Sequence, residues 1–180
     1  MAQQPMENAI MPAVTDIVSQ AMVNGDSAAR KTEYAGGGVV VSPATVTAAT
    51  LAVTAAEHSN RPIVLNRAAG ITATLPAATG SGAKFIFVNQ TTVTSNNHII
   101  QVTGNDVFIG KAIITQDAGD TLASFECAAD SDTITMNGTT KGGLRGDIIE
   151  IIDVAADTYL VNANLTGTGT EATPFSAAVS

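Results

Sequence analysis

The sequence has little charge, few aromatic side chains and almost no cysteine. Only 13% of its 180 residues are charged and 4% are aromatic, and there is no tryptophan. The eight basic residues are scattered along the chain and are outnumbered by sixteen acidic ones, which gives a net charge of −8. Because phosphate contacts need clustered Lys and Arg, we expect no nucleic-acid partner. The shortage of aromatic rings also disfavours a carbohydrate-binding module, since sugars stack on exposed rings.

Cys127 is the only cysteine, so the chain has no internal disulfide framework. It ends an apolar strand pattern, and we interpret it as a buried structural thiol. The first residues, Met-Ala-Gln-Gln-Pro, lack the basic and apolar regions of a signal peptide. No apolar run approaches the length of a membrane span. We therefore expect a protein that is made in the cytoplasm and has no membrane partner.

Groups that could support catalysis or bind a metal are few. His58 lies in a polar turn and His98 opens a strand, and the two lack the spacing of a metal pair. No nucleophile-elbow motif accompanies Cys127 or any serine. Two acidic pairs could offer oxygen ligands to calcium: Asp117 with Asp120, and Asp130 with Asp132. The terminal Glu of a calcium-binding loop is missing from both, so we predict no metal, no cofactor and no enzymatic activity.

The N-terminal region carries the only convincing helix pattern, over residues 8–24. Its apolar residues recur three and four positions apart and form one stripe, made of Ile10, Val14, Ile17, Val18, Ala21 and Met22. Asn8 can cap the start and Gly25 can close the end. Three consecutive glycines at 36–38 predict a hinge, because they would cost too much entropy inside an element. The stripe needs a partner, either the chain's own β domain or a neighbouring subunit.

From Val39 onward the sequence reads as short strands separated by turn residues. Within residues 66–89, Ile71, Ala73 and Leu75 alternate with threonines, Pro76 ends the strand, and a second strand follows residues 79–82. We predict an all-β fold, an antiparallel β-sandwich or barrel of about a dozen short strands with an N-terminal helical arm. The strand at 147–153 has paired isoleucines, which indicate burial on both faces and a central position.

These patterns divide the chain into three parts. Residues 1–38 form the predicted helical arm and glycine hinge, and residues 39–165 form the β domain. Residues 166–180 have the composition of a loop and form a C-terminal tail.

Several stretches resemble virion proteins of tailed bacteriophages, in particular the small β-rich head-decoration (cement) proteins. They are residues 61–96, with Asn66-Arg67-Ala68-Ala69-Gly70-Ile71 and Leu75-Pro76-Ala77-Ala78-Thr79-Gly80-Ser81-Gly82, then residues 116–122, 137–140 and 167–175. The likeness covers about residues 50 to 178. The arm and the hinge lie outside it.

The resemblance implies a place on the capsid surface of a virion, with the major capsid protein and further copies of the chain as partners. We expect a homotrimer, which suits the three-fold positions of an icosahedral shell. The residues that we expect to make these contacts are Ile10, Val14, Ile17 and Val18 of the arm, with Pro174 and Phe175 of the tail. A trimeric head- or tail-fibre component is the alternative, although the long repeats and the coiled-coil stalk of a fibre are not visible.

Overall fold

The computed structural model describes residues 31–33, 39–119 and 121–179. The chain divides into two compact units, Met1–Ser42 and Pro43–Ser180. In the first unit, β1 (Lys31–Glu33) pairs antiparallel with β2 (Val39–Val41). The predicted arm helix at 8–24 and the predicted glycine hinge lie outside the described residues, and both stay predictions.

The described part of the second unit contains twelve strands, in agreement with the predicted dozen, and one short helix that the sequence pattern did not predict. The elements are β3 (Ala44–Val46), β4 (Thr50–Ala52), α1 (Ala55–His58), β5 (Pro62–Leu65), β6 (Thr72–Thr74), β7 (Lys84–Asn89), β8 (His98–Gln101), β9 (Val107–Gln116), β10 (Leu122–Glu126), β11 (Thr133–Met136), β12 (Ile148–Ala155), β13 (Thr158–Gly167) and β14 (Phe175–Ser176). They form a seven-stranded sheet of order β10-β9-β13-β12-β7-β5-β3 and a five-stranded sheet of order β14-β11-β8-β6-β4. Within the described ranges, no helix is long and apolar enough to cross a membrane.

The two sheets pack face to face over one hydrophobic core. Alternate residues of each strand point inward, as Phe85 and Phe87 do on β7 and Ile149 and Ile151 do on β12. The five-stranded sheet contributes inward residues such as Ile100 to the same cluster. The all-β prediction is therefore confirmed, and the architecture is a two-layer sandwich.

The prediction of an antiparallel sandwich or barrel is wrong in strand direction, because both sheets are mixed. β3, β5 and β7 are parallel neighbours in one sheet, and β4, β6 and β8 are parallel neighbours in the other. Successive strands from β3 to β8 alternate between the sheets. Strands two places apart in the chain, such as β3 and β5, therefore lie side by side in the same sheet and run in the same direction. The opposite sheet replaces the helix that usually carries such a crossover, so the lack of helix patterns did not exclude parallel pairing.

The strand with paired isoleucines is central, as predicted. β12 lies between β13 and β7, at the middle of the seven-stranded sheet. Its predicted burial on both faces is found on one face only. Ile149 and Ile151 are buried in the core, whereas Ile148 on the opposite face is 43% exposed and Ile152 is half-buried.

The residues of the predicted tail belong to the sandwich. Thr166 and Gly167 complete β13, and Phe175 of β14 pairs with Ile134 of β11. Pro174 and Phe175 are both buried. The side-chain carboxylate of Asp132 accepts hydrogen bonds from the backbone N–H groups of Ala178 and Val179, at 2.7 and 3.0 Å.

Gly110 of β9 fixes the close approach of β9 to its parallel neighbour β13. Its φ of 119° lies in a region that other residues rarely adopt, and a Cβ there would collide with the backbone oxygen of Val161. We predict that Gly110→Ala lowers the free energy of unfolding by at least about 2 kcal/mol, through strain and overpacking together. The measurement is chemical denaturation.

Gly146→Ala is the matched control for this change. Gly146 has a φ of 100°, close to that of Gly110, but no atom lies within 4 Å of the added Cβ. We expect this variant to lose only about 1 kcal/mol, the cost of the backbone conformation alone. Equal losses in the two variants would show that the approach of β13 does not require glycine.

Candidate interaction surface

The seven-stranded sheet has an apolar outer face, directed away from the five-stranded sheet. We call it the isoleucine face. Its side chains come from β7, β12, β13, β9 and β10: Lys84, Ile86, Val88, Ile148, Glu150, Ile152, Val154, Leu160, Asn162, Asn164, Ile109, Lys111, Ile113, Leu122, Ser124 and Glu126. Five large apolar residues on it are 38–65% exposed: Ile109, Leu122, Ile148, Val154 and Leu160. Such a concentration of exposed apolar side chains is typical of a surface that another molecule covers.

Strand register arranges these side chains in rows across the sheet. Ile152 of β12 lies opposite Leu160 of β13, and Leu160 lies opposite Ile109 of β9. In a second row, Val88 of β7 lies opposite Ile148 of β12. Cross-strand neighbours of this kind stand about 5 Å apart, so the first row is a continuous apolar ridge of three side chains. Between the two rows, Glu150, Asn162 and Lys111 form a polar row.

A depression of about 550 Å³ lies beside the first row. It is lined by Gly110, Lys111, Glu126, Cys127, Leu160, Val161 and Asn162. The missing side chain at Gly110 helps to leave this space open. The depression combines an apolar wall with a cation, an anion and an amide.

Charges on the isoleucine face are balanced. Lys84 forms an ion pair with Glu150 at 2.7 Å, and Lys111 lies opposite Glu126 in the pairing of β9 with β10. Two positive and two negative side chains thus leave the face neutral, in a chain whose net charge is −8.

The outer face of the five-stranded sheet has a different chemistry, and we call it the threonine face. Its side chains are those of Thr50, Ala52, Thr72, Thr74, Ile99, Gln101, Thr133, Thr135 and Ser176. None of them is charged. Hydroxyl and amide groups satisfy one another there, as in the hydrogen bond from Gln101 Nε2 to Thr74 Oγ1 at 3.2 Å. This face is polar and uncharged, whereas the isoleucine face is largely apolar.

The histidines and the cysteine are not arranged for nucleophilic catalysis. His98 is fully buried, its ring nitrogens lack a well-formed hydrogen bond within the described structure, and burial lowers its pKa to about 4 against a small opposing effect of the Thr91 backbone. The ring Nδ1 of His58 interacts with the backbone of Thr54 at the start of α1. Cys127 is half-buried against the core, and burial raises the pKa of its thiol to about 11, so the nucleophilic thiolate is scarce at neutral pH.

The acidic residues that could offer calcium ligands differ in their surroundings where the structure describes them. Asp117 and Asp130 are exposed, and Asp120 lies outside the described residues. Asp132 is buried and accepts a hydrogen bond from the Thr133 hydroxyl at 2.7 Å, besides those from the C-terminal N–H groups. Among the described residues, no three His, Cys, Asp or Glu side chains are grouped as metal ligands.

Other buried aspartates also hold loops through backbone N–H groups. Asp147 accepts hydrogen bonds from the N–H groups of Gly143 and Thr166 at 2.7 and 2.8 Å, and burial raises its pKa despite these donors. Asp106 accepts one from Ala78 at 2.8 Å. These side chains are structural.

Asp153 is the most heavily hydrogen-bonded of the buried aspartates. Its carboxylate accepts the N–H groups of Thr79, Gly80 and Ser81 at 2.7–3.0 Å and the Ser81 hydroxyl at 2.6 Å. Burial alone would raise its pKa, but the Ser81 hydroxyl and the three N–H groups together lower it to about 2. The ionised carboxylate therefore holds the loop between β6 and β7.

Only two of the six predicted contact residues lie in the described part of the chain, so the predicted contact surface stays a prediction. Ile10, Val14, Ile17 and Val18 lie outside the described residues, and Pro174 and Phe175 are buried in the chain's own sandwich. Sequence reasoning missed the exposed residues of the isoleucine face. The paired isoleucines of β12 were the available signal, because they place apolar side chains on both sides of one strand.

Comparisons with protein-family models, with curated proteins and with solved structures find no match to this chain.

Asp153 gives a prediction for the dependence of stability on pH. Because its folded pKa of about 2 lies below the ordinary value of 3.8, its stabilising effect is complete above about pH 5 and is lost as pH falls from about 4 to 2. We predict that Asp153→Asn lowers the free energy of unfolding by about 2 kcal/mol at pH 7 and by much less at pH 2.5. Denaturant titrations at the two pH values measure this difference.

Asp130→Asn, at an exposed turn position, is the control and should change stability by less than about 0.5 kcal/mol at either pH. His98 also destabilises the fold in acid, but between pH 6.5 and 4, because its pKa is lowered. A loss in Asp153→Asn that is the same at pH 7 and pH 2.5 would contradict the role of the ionised carboxylate.

Proposed function

We propose that this chain is a decoration (cement) protein of a tailed bacteriophage, which binds the outside of the major capsid shell as a homotrimer and stabilises the head. The resemblance over residues 61–96 supports the family. In the fold, that stretch contains β5, β6 and β7 with their connecting loops. The resemblance therefore covers strands of both sheets of the sandwich.

The observation that carries the proposal is the isoleucine face. A sheet face that has no net charge and exposes five large apolar side chains is suited to contact with another protein surface. The described residues form such a surface. The buried aspartates, Cys127 and His98, in contrast, have structural roles. These features favour a binding protein over an enzyme.

The aromatic residues favour a protein partner over a carbohydrate. Phe85, Phe87, Phe108, Tyr159 and Phe175 are buried, and Phe125 packs against the core. The described part of the chain therefore has no exposed aromatic ring on which a sugar could stack.

The proposed mechanism is mechanical clamping of the shell. A protein that binds across the joints between capsid subunits adds buried area that must be exposed again before the shell opens. Binding to the closed shell alone lowers its free energy by mass action. No chemical step and no cofactor are needed for this activity.

Labelling of purified virions tests the proposal directly. We expect antibodies against this chain to decorate the head in negatively stained images, at many regularly spaced positions. Labelling of the tail or of fibres alone would favour the fibre alternative, and virions without label would remove both.

The predicted arm gives a second test. Ile17 lies in the apolar stripe of residues 8–24, so we predict that Ile17→Asp weakens binding to purified capsids at least about tenfold, because burying a carboxylate in an apolar contact costs several kcal/mol. Ser19→Asp is the matched control, since residue 19 falls on the opposite side of the predicted helix. The measurements are co-sedimentation with capsids and thermal melting of the free protein.

Unchanged capsid binding by Ile17→Asp would remove the arm from the proposed contact. A lower melting temperature in Ile17→Asp, but not in Ser19→Asp, would instead show that the stripe packs on the chain's own domain.

A further inference from the structure

We infer that the isoleucine face is the surface through which copies of this chain associate with one another. The inference deepens the self-association that is part of the proposed function and rests on it. It assigns the contact to the isoleucine face. The contacts expected from the sequence lie instead in the arm and the tail.

The first support is that β12 has the composition of a strand with apolar neighbours on both sides. Strands buried on both faces read as nearly continuous apolar runs, and Ile148-Ile149 and Ile151-Ile152 are such runs. The described structure buries Ile149 and Ile151 only. The side chains of Ile148 and Ile152 face outward, where a further layer would complete their burial.

The second support is the charge of the face, which selects a second copy as the occupant. The chain as a whole carries sixteen acidic and eight basic residues, so two copies repel each other in most orientations. The isoleucine face is neutral, and each of its cations has a nearby anion. Lys111 of one copy can therefore meet Glu126 or Glu150 of another, which makes the face complementary to itself.

The third support is size. Five strands about 4.8 Å apart, each presenting about 20 Å of length, give a footprint of about 500 Å² in projection. The accessible area is larger, because the side chains stand out of the plane. A stable interface buries about 800 Å² of accessible surface per partner, so the contact would have to extend over the whole face. The depression beside Leu160 can receive an apolar side chain of the second copy.

The test is the molar mass of the full-length protein in solution, measured by light scattering after gel filtration at about 20 µM. We expect about 55 kDa, three times the chain mass of 18.2 kDa, as the proposed homotrimer requires. Leu160→Lys should weaken association about a hundredfold and give the monomer mass, because it places an unpaired cation in an apolar contact.

Val179→Lys is the matched control. Val179 is 37% exposed and Leu160 is 38% exposed, but Val179 belongs to the C-terminal segment, where its N–H donates to the Asp132 carboxylate. We expect its mass to equal that of the wild type. A monomeric wild type would overturn the inference, as would a Leu160→Lys variant that associates like the wild type.

Cross-linking decides the matter if Leu160→Lys does not fold. In a Cys127→Ser background, Ile148→Cys should form an intermolecular disulfide under mild oxidation, while Val179→Cys should not. Absence of the Ile148→Cys dimer would overturn the inference.

Capsid co-sedimentation of the same variants separates the two proposals. A protein that is a monomer when free, and loses capsid binding through Leu160→Lys, would show that the capsid protein occupies the face. That result overturns this inference and leaves the decoration function standing. A wild-type protein that associates with itself but does not bind capsids would overturn the decoration function and leave this inference standing.

Discussion

Hydrogen bonds from loop N–H groups to buried aspartates hold the two sheets of this sandwich in place. Strands β3 to β8 cross repeatedly from one sheet to the other, and the crossing loops contain backbone N–H groups that no strand can pair. Asp153 accepts three of them from the loop before β7, and Asp106 accepts that of Ala78. A carboxylate can accept several such bonds at once, which a neutral side chain of the same size cannot. A chain with few charges thus places several of its acids in the interior.

The strand that anchors these loops also forms the centre of the isoleucine face. Asp147 immediately precedes β12 and Asp153 lies near its end, and both accept N–H groups on the inner side. Between them, Ile148 and Ile152 point outward. Because β12 is fixed at both ends and flanked by β7 and β13, the apolar rows are presented on a rigid platform. Little conformational entropy is then lost when the face is covered.

The sequence was sufficient for the class of fold, for a dozen strands and for the central place of β12, because period-two alternation and turn residues carry that information. It did not reveal the parallel pairs. Their crossovers run through the opposite sheet rather than through helices, and no local pattern records which sheet a three-residue strand such as β6 joins. Phe175 was expected at a contact with another molecule, yet it completes the core, since the polar residues around it conceal its pairing with Ile134. The only sequence signal for the isoleucine face was that β12 has isoleucines at both odd and even positions, which places them on both faces of the strand.

The contrast between the two outer faces bears on how copies can assemble. Burying the isoleucine and leucine side chains of one face is favourable, because water is excluded from apolar surface. The other face offers uncharged polar side chains such as those of Thr72, Thr74 and Thr135, whose burial is much less favourable. A sandwich that was apolar on both faces would stack without limit, because each added copy would present a fresh apolar face. With one apolar face, association consumes the surface that drives it. Under the proposed self-association, the threonine face stays uncovered and offers further copies little apolar surface, so growth would stop at a small number of copies.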